Sequence, residues 1–99
     1  MRKVTQQIKE AFDAQKPRAV GNTMTDGQAV FLHGNKIIER RKYGVYFTLA
    51  GWNTPTTRER INGILFAGTP DGLAQKDFAP YYFKDGDTRT IEAREWYKV

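Results

Sequence analysis

The densest run of anion-binding groups in the chain is Thr54-Pro55-Thr56-Thr57-Arg58-Glu59-Arg60. A helix N-terminus carries free N–H groups and the positive end of the helix dipole, so it attracts phosphate. The hydroxyls of Thr54, Thr56 and Thr57 with the guanidiniums of Arg58 and Arg60 would complete a phosphate cradle, since arginine grips phosphate through paired donors. Ordinary capping accounts for the same residues. Thr56 with Glu59 fits a capping box, and Thr54 followed by Pro55 at the first helical position is the alternative cap. Glu59 offsets part of the arginine charge, and Trp52 just upstream is assigned to the core.

A second group is Lys36, Arg40, Arg41 and Lys42 beside Tyr43 and Tyr46. Cations interleaved with aromatic rings suit single-stranded nucleic acid, whose bases stack while its phosphates follow the charges. Strand alternation puts Lys36 and Arg40 on one face and Arg41 on the other, which divides the group. A charged strand end that resists edge pairing is the plainer reading.

Other chemistry finds little support. His33 is the single histidine, lacks partners at metal-ligand or general-base spacing, and reads as a structural hydrogen-bonding residue. There is no cysteine, so disulfides, thiolate catalysis and Cys-based zinc sites are excluded. Asp26-Gly27, Asp71-Gly72 and Asp85-Gly86 are turn formers, and no glycine-rich phosphate loop or nucleophile elbow occurs. No cofactor or metal is expected, and the protein reads as non-enzymatic.

The elements that must position these residues follow from periodicity. Val4, Ile8, Ala11 and Phe12 recur at helical spacing, predicting an amphipathic helix within residues 1–16 that stops before Pro17. Residues 17–27 read as a connector. Gln28–His33 and Lys36–Arg41 flank Gly34-Asn35 as a two-residue hairpin, with Phe31 facing Ile38 and Leu32 facing Ile37. After a turn at Lys42-Tyr43-Gly44, Val45, Phe47 and Leu49 alternate as a third strand. A helix over about 55–66 is inserted into the sheet region of 28–99. Pro80–Lys84 and Asp87–Ile91 around Asp85-Gly86 form a second hairpin, with Lys84 opposite Asp87 and Arg89 against Tyr82. Glu95–Val99 closes a short last strand with Trp96 or Tyr97 turned inward. The expected fold class is one compact α+β domain over 1–99: N-terminal helix, three-stranded antiparallel meander, short second helix and C-terminal β-hairpin.

Length and composition agree. A chain of 99 residues suits one domain, and its 13% aromatic content supplies large rings for a core. The polar N-terminus lacks a signal-peptide apolar stretch and no run is long enough to span a membrane, so a soluble cytoplasmic protein is expected. The net charge of +5 favours a polyanion only weakly, because excess charge also maintains solubility.

Phe31-Leu32-His33-Gly34-Asn35 and Leu49-Ala50-Gly51-Trp52-Asn53-Thr54-Pro55-Thr56-Thr57-Arg58-Glu59-Arg60-Ile61-Asn62 together resemble a group of small bacteriophage proteins. That group shares an L-H-G-N hairpin and a G-W-x-T-x-T-T-R-E-R-(L/I)-N segment, and the match covers about residues 22–65. The resemblance implies a phage protein working in the bacterial host cytoplasm and carries over no catalytic residue. Two functions are expected from the chain as a whole. One is DNA or RNA binding through the phosphate backbone by the two clusters. The other is an interaction module for a host protein, anchored by Tyr43, Tyr46, Tyr81 and Tyr82.

Overall fold

In the computed structural model, which describes residues 1–99, Ile8, Ala11 and Phe12 form the buried stripe of α1 (Lys3–Asp13), joined by Thr5. The chain leaves the helix at Ala14 and turns at Gln15 (φ 56°), two residues ahead of Pro17.

Residues 17–27 are more than a connector. They carry β1 (Arg18–Val20) and β2 (Thr23–Thr25), paired antiparallel with Val20 opposite Thr23. Strands of only three residues, Arg-Ala-Val and Thr-Met-Thr, are too short to show a readable apolar alternation. Thr23 and Thr25 nevertheless face inward and are buried, and the Thr25 hydroxyl donates to the Ala29 carbonyl at 2.6 Å.

The meander continues through β3 (Ala29–Leu32), β4 (Asn35–Arg41) and β5 (Gly44–Phe47). Its first turn is centred on His33-Gly34 rather than Gly34-Asn35, with Leu32 opposite Asn35. A type I′ turn needs positive φ at both central residues, and His33 (51°) and Gly34 (80°) supply it. Phe31 therefore faces Lys36 and Val30 faces Ile38, with Ile37 as the extra residue of a β-bulge. The bulge reverses the alternation along β4. Ile37 and Ile38 are both buried, and Lys36 comes onto the same face as Glu39 and Arg41.

Pro55 occupies the first turn of α2 (Pro55–Leu65), and the Thr54 hydroxyl caps it by accepting from the Thr57 N–H at 3.2 Å. Between the two caps the sequence allowed, the fold uses Thr54. Beyond α2, the expected C-terminal hairpin is β7 (Ala79–Lys84) and β8 (Asp87–Thr90), with Lys84 opposite Asp87 and Tyr82 opposite Arg89. An unforeseen strand, β6 (Gly72–Lys76), completes a three-stranded sheet. Finally β9 (Tyr97–Lys98) returns to pair with β5, making the first sheet six-stranded in the order β1-β2-β3-β4-β5-β9.

The α+β class holds, with two antiparallel sheets instead of a meander and a hairpin. The core joins Ile8 and Phe12 of α1, Val30, Ile38 and Phe47 of the large sheet, Ile61 and Ile64 of α2, and Leu73 and Tyr82 of the small sheet. Phe47 is its aromatic centre, edge-on to Tyr82 at 5.0 Å and to Phe66 at 5.9 Å. Of Trp96 and Tyr97, Tyr97 packs against this core.

Candidate functional site

The proposed phosphate cradle is taken apart by the fold. Arg60 is only 3% exposed. Its Nε donates to the Thr23 hydroxyl at 2.9 Å, Nη1 to the Thr5 hydroxyl at 3.1 Å and to Glu59, and Nη2 to the Asn22 side chain at 3.3 Å. With its donors turned inward, Arg60 joins α2 to α1 and β2 and presents nothing to a phosphate. Burial pushes the Glu59 carboxyl up, but bonds from Thr5 and Arg60 together outweigh that and hold it below the usual value. Thr57 is buried against the Thr54 hydroxyl at 2.8 Å. Arg58, half-buried, donates to the Asn53 side chain and to Gln75 at 3.2 Å. Of the five cradle residues, Thr56 and Arg58 keep partly exposed polar ends outside the cap and the Arg60 network.

The second cluster separates differently. Arg40 turns inward, donating to the carbonyls of Gly27 at 2.8 Å and Phe12 at 2.7 Å, with its guanidinium 3.7 Å from the Phe12 ring centroid. It ties α1 to the sheet and leaves the surface group. Lys36 and Arg41 stay outside and both pair with Glu39, at 2.7 and 2.9 Å. Bonds from Lys36 first and then Arg41 hold the Glu39 carboxyl below its ordinary value. Since β4 lies between β3 and β5, these charges do not guard a sheet edge.

Cross-strand register shows what else shares this outer face. Met24, Phe31 and Lys36 form one row, and Glu39, Tyr46 and Lys98 form another. Lys36 Nζ lies 5.8 Å from the Phe31 ring centroid. The Arg41 guanidinium lies 4.6 Å from the centroids of both Tyr46 and Trp96. Lys42 and Tyr43 stand at the β4–β5 turn, with Tyr43 72% exposed. Both helices pack on the opposite face, where Val30, Ile38 and Phe47 enter the core. The outer face is thus an open platform of rings and cations. Phe31, Trp96 and Lys98 were not foreseen as part of it, because they join the cluster only through the bulge and the return of β9.

A second feature lies at the end of the β3–β4 hairpin. A cleft of about 570 Å³ runs between that hairpin and the segment leading into α2. It brings the Leu32–Asn35 and Leu49–Thr57 segments together. Trp52, expected in the core, is 59% exposed and stands on the cleft wall. Tyr82, expected as a surface anchor, is 1% exposed, and burial pushes its hydroxyl above the ordinary value.

No three His, Asp or Glu side chains converge in a way that could hold a metal ion, and no helix is long and apolar enough to cross a membrane. This α+β domain carries an open aromatic and basic sheet face on one side and a cleft beside its helices. The chain belongs to the Kyanoviridae Gp96 protein family, a phage family whose model matches residues 1–98. The match extends through α1 and the small sheet, well beyond the two motif segments. No curated protein and no solved structure matches the chain.

Proposed function

We propose that this phage protein binds single-stranded nucleic acid across the outer face of its six-stranded sheet. The observation that carries the reading is the Arg41 guanidinium stacked on Tyr46 and Trp96. Lys36, Lys42 and Lys98 stand around it. Rings on an open sheet accept bases of any sequence, while the surrounding cations follow the phosphates. Glu39 neutralises part of this charge and keeps Lys36 and Arg41 in place. An open, shallow face favours single strands, since duplex bases are already stacked on each other.

Fluorescence anisotropy with labelled single-stranded DNA, RNA and duplex DNA across a salt series tests the reading. Binding to single strands with a log-linear salt slope, lost when Tyr46 and Trp96 are both changed to alanine in a folded variant, is the expected result. No binding at low salt, or equal binding by that variant, rejects it.

One observation favours a second reading, contact with a host protein. Phe78, at the β6–β7 turn, is 90% exposed, as an aromatic anchor would be. Capture from nuclease-treated host lysate by the wild-type chain but not by Phe78→Ala is the result expected of it.

A further inference from the structure

The cleft between the β3–β4 hairpin and the start of α2 stands apart from the sheet face, and its chemistry is different. Its floor is apolar, made by Leu32, Ile37 and Leu49. Its volume, about 570 Å³, lies within the range of small-ligand sites. Apart from the His33 ring, no titratable side chain lines it, so an ionised ligand group would find no counter-charge inside. The Thr54 and Thr57 hydroxyls are engaged with one another and with the helix cap. The Asn35 amide, the Thr56 hydroxyl and the Trp52 indole N–H remain as lining groups without a partner inside the chain.

Two lining residues, His33 (φ 51°) and Ala50 (φ 55°), hold left-handed backbone conformations without being glycine. For His33 the type I′ turn is reason enough. Ala50 and Gly51 (φ 86°) show the same pattern, as the two central residues of a second turn of this kind. The Trp52 N–H closes that turn by donating to the Leu49 carbonyl at 2.8 Å, and so bends the chain as it leaves the sheet. The bend places an indole in the wall of a cleft with an apolar floor, which the unpartnered Asn35 amide also lines.

We infer that this cleft binds a nucleobase, as a nucleoside or as one unstacked base of a strand. An uncharged planar ring matches the uncharged lining. Trp52 offers a stacking surface that an aliphatic ligand would not use. The Asn35 amide carries the adjacent donor and acceptor that pair with the N6 and N7 edge of adenine. Charged sugar-phosphate groups would remain outside the mouth. The site does not rest on the sheet-face reading, because it lies on the helix side and shares no lining residue with the sheet-face cluster.

Titration of the ¹⁵N-labelled protein with adenosine, followed by amide chemical shifts, tests the inference, with cyclohexanol as an apolar comparison ligand. Adenosine carries no phosphate, and the location of the shifts separates the cleft from the rings at Tyr46 and Trp96. Saturable shifts confined to residues 32–37 and 49–57 are expected, weakened about tenfold in Trp52→Ala and less in Asn35→Ala. Cyclohexanol should saturate far more weakly. No shift in these segments at millimolar adenosine overturns the inference, as does undiminished binding by folded Trp52→Ala. Equal binding of cyclohexanol overturns it too, by showing an apolar cavity without preference for a ring. Each of these results leaves the oligonucleotide measurement on Tyr46 and Trp96 unaffected.

Discussion

Arg41 of β4 stacks its guanidinium 4.6 Å from the ring centroid of Trp96, so a mid-chain strand and the C-terminal segment build one surface. The same guanidinium lies equally close to Tyr46, and its Nε donates to Glu39 at 2.9 Å. Charge and stacking therefore coincide in one side chain, and substitutions can separate them. Trp96→Ala removes a stacking surface without touching charge, and should weaken single-strand binding by about 1–3 kcal/mol with an unchanged salt slope. Arg41→Ala removes a cation and should also reduce the slope by about 0.7. Arg58→Ala, at the start of α2, should alter neither. Anisotropy titrations at several salt concentrations read all three, and a Trp96→Ala protein with wild-type affinity would refute the stacking role.

Three hydrogen-bonded carboxylates set the response to acid. Glu59, Glu39 and Asp26 all titrate below their ordinary values. For Asp26 the causes are the N–H groups of Gln28 and then Ala29, each 2.8 Å from its carboxylate. A carboxyl whose folded pKa is depressed binds fewer protons when folded than when unfolded. Its stabilisation is fully present above the unfolded value of about 4.3 for glutamate or 3.9 for aspartate, and is lost as pH falls through the folded value. Denaturant midpoints should therefore be flat from neutral pH down to the carboxylate range and fall below it. Glu59→Gln should flatten part of that fall. Arg60→Leu leaves the part-buried Glu59 carboxylate without its cation and the Thr23 hydroxyl without its donor, and should cost roughly 3 kcal/mol at neutral pH. An Arg60→Leu protein as stable as wild type would show that the network adds nothing.

How much of this was readable beforehand depended on whether a signal was local. The stripe of α1, the start of α2 and the Asp85-Gly86 turn are local, and each was legible from spacing or turn chemistry. The partition of the basic cluster was not, because one bulge residue, Ile37, exchanges the faces of everything after it. Parity counted along Lys36–Arg41 put Arg40 with Lys36, and the bulge put Arg41 there instead. Arg60 was misplaced because its partners, Thr5, Asn22 and Thr23, are distant in sequence. Trp52 carries no periodicity of its own, so its exposure depended on the bend at Ala50-Gly51, where both residues have positive φ.

Where α1 crosses α2, a Cβ on Gly63 would stand 2.3 Å from Cγ2 of Thr5, which is too close. Glycine to alanine inside a helix gains about 1 kcal/mol from propensity. Overpacking of this kind costs about 1–3 kcal/mol, so Gly63→Ala should be net destabilising. Thr5→Ser removes the offending methyl and keeps the hydroxyl that donates to Glu59 at 2.5 Å. Gly63→Ala should therefore be less harmful in a Thr5→Ser background. A double-mutant cycle by chemical denaturation measures this coupling, and strict additivity would mean the helices separate without regard to Thr5.

The β6–β7 turn stores strain at Phe78, whose φ of 65° is unusual for a bulky residue. The ring is 90% exposed and so gains little from packing. Asn53 Nδ2 donates to the Phe78 carbonyl at 3.3 Å, which fixes the backbone and leaves the side chain outside. Such a conformation costs about 1–3 kcal/mol, and glycine at the second centre of a two-residue turn relieves it. Part of that relief is offset by about 0.5–1 kcal/mol of extra unfolded-state entropy. Phe78→Gly should thus raise stability by roughly 1 kcal/mol, seen as a higher denaturation midpoint with an unchanged slope. Stability gained together with loss of lysate capture would mark Phe78 as a contact residue kept at the expense of the fold. A midpoint below wild type would mean that the exposed ring stabilises the turn in its present form.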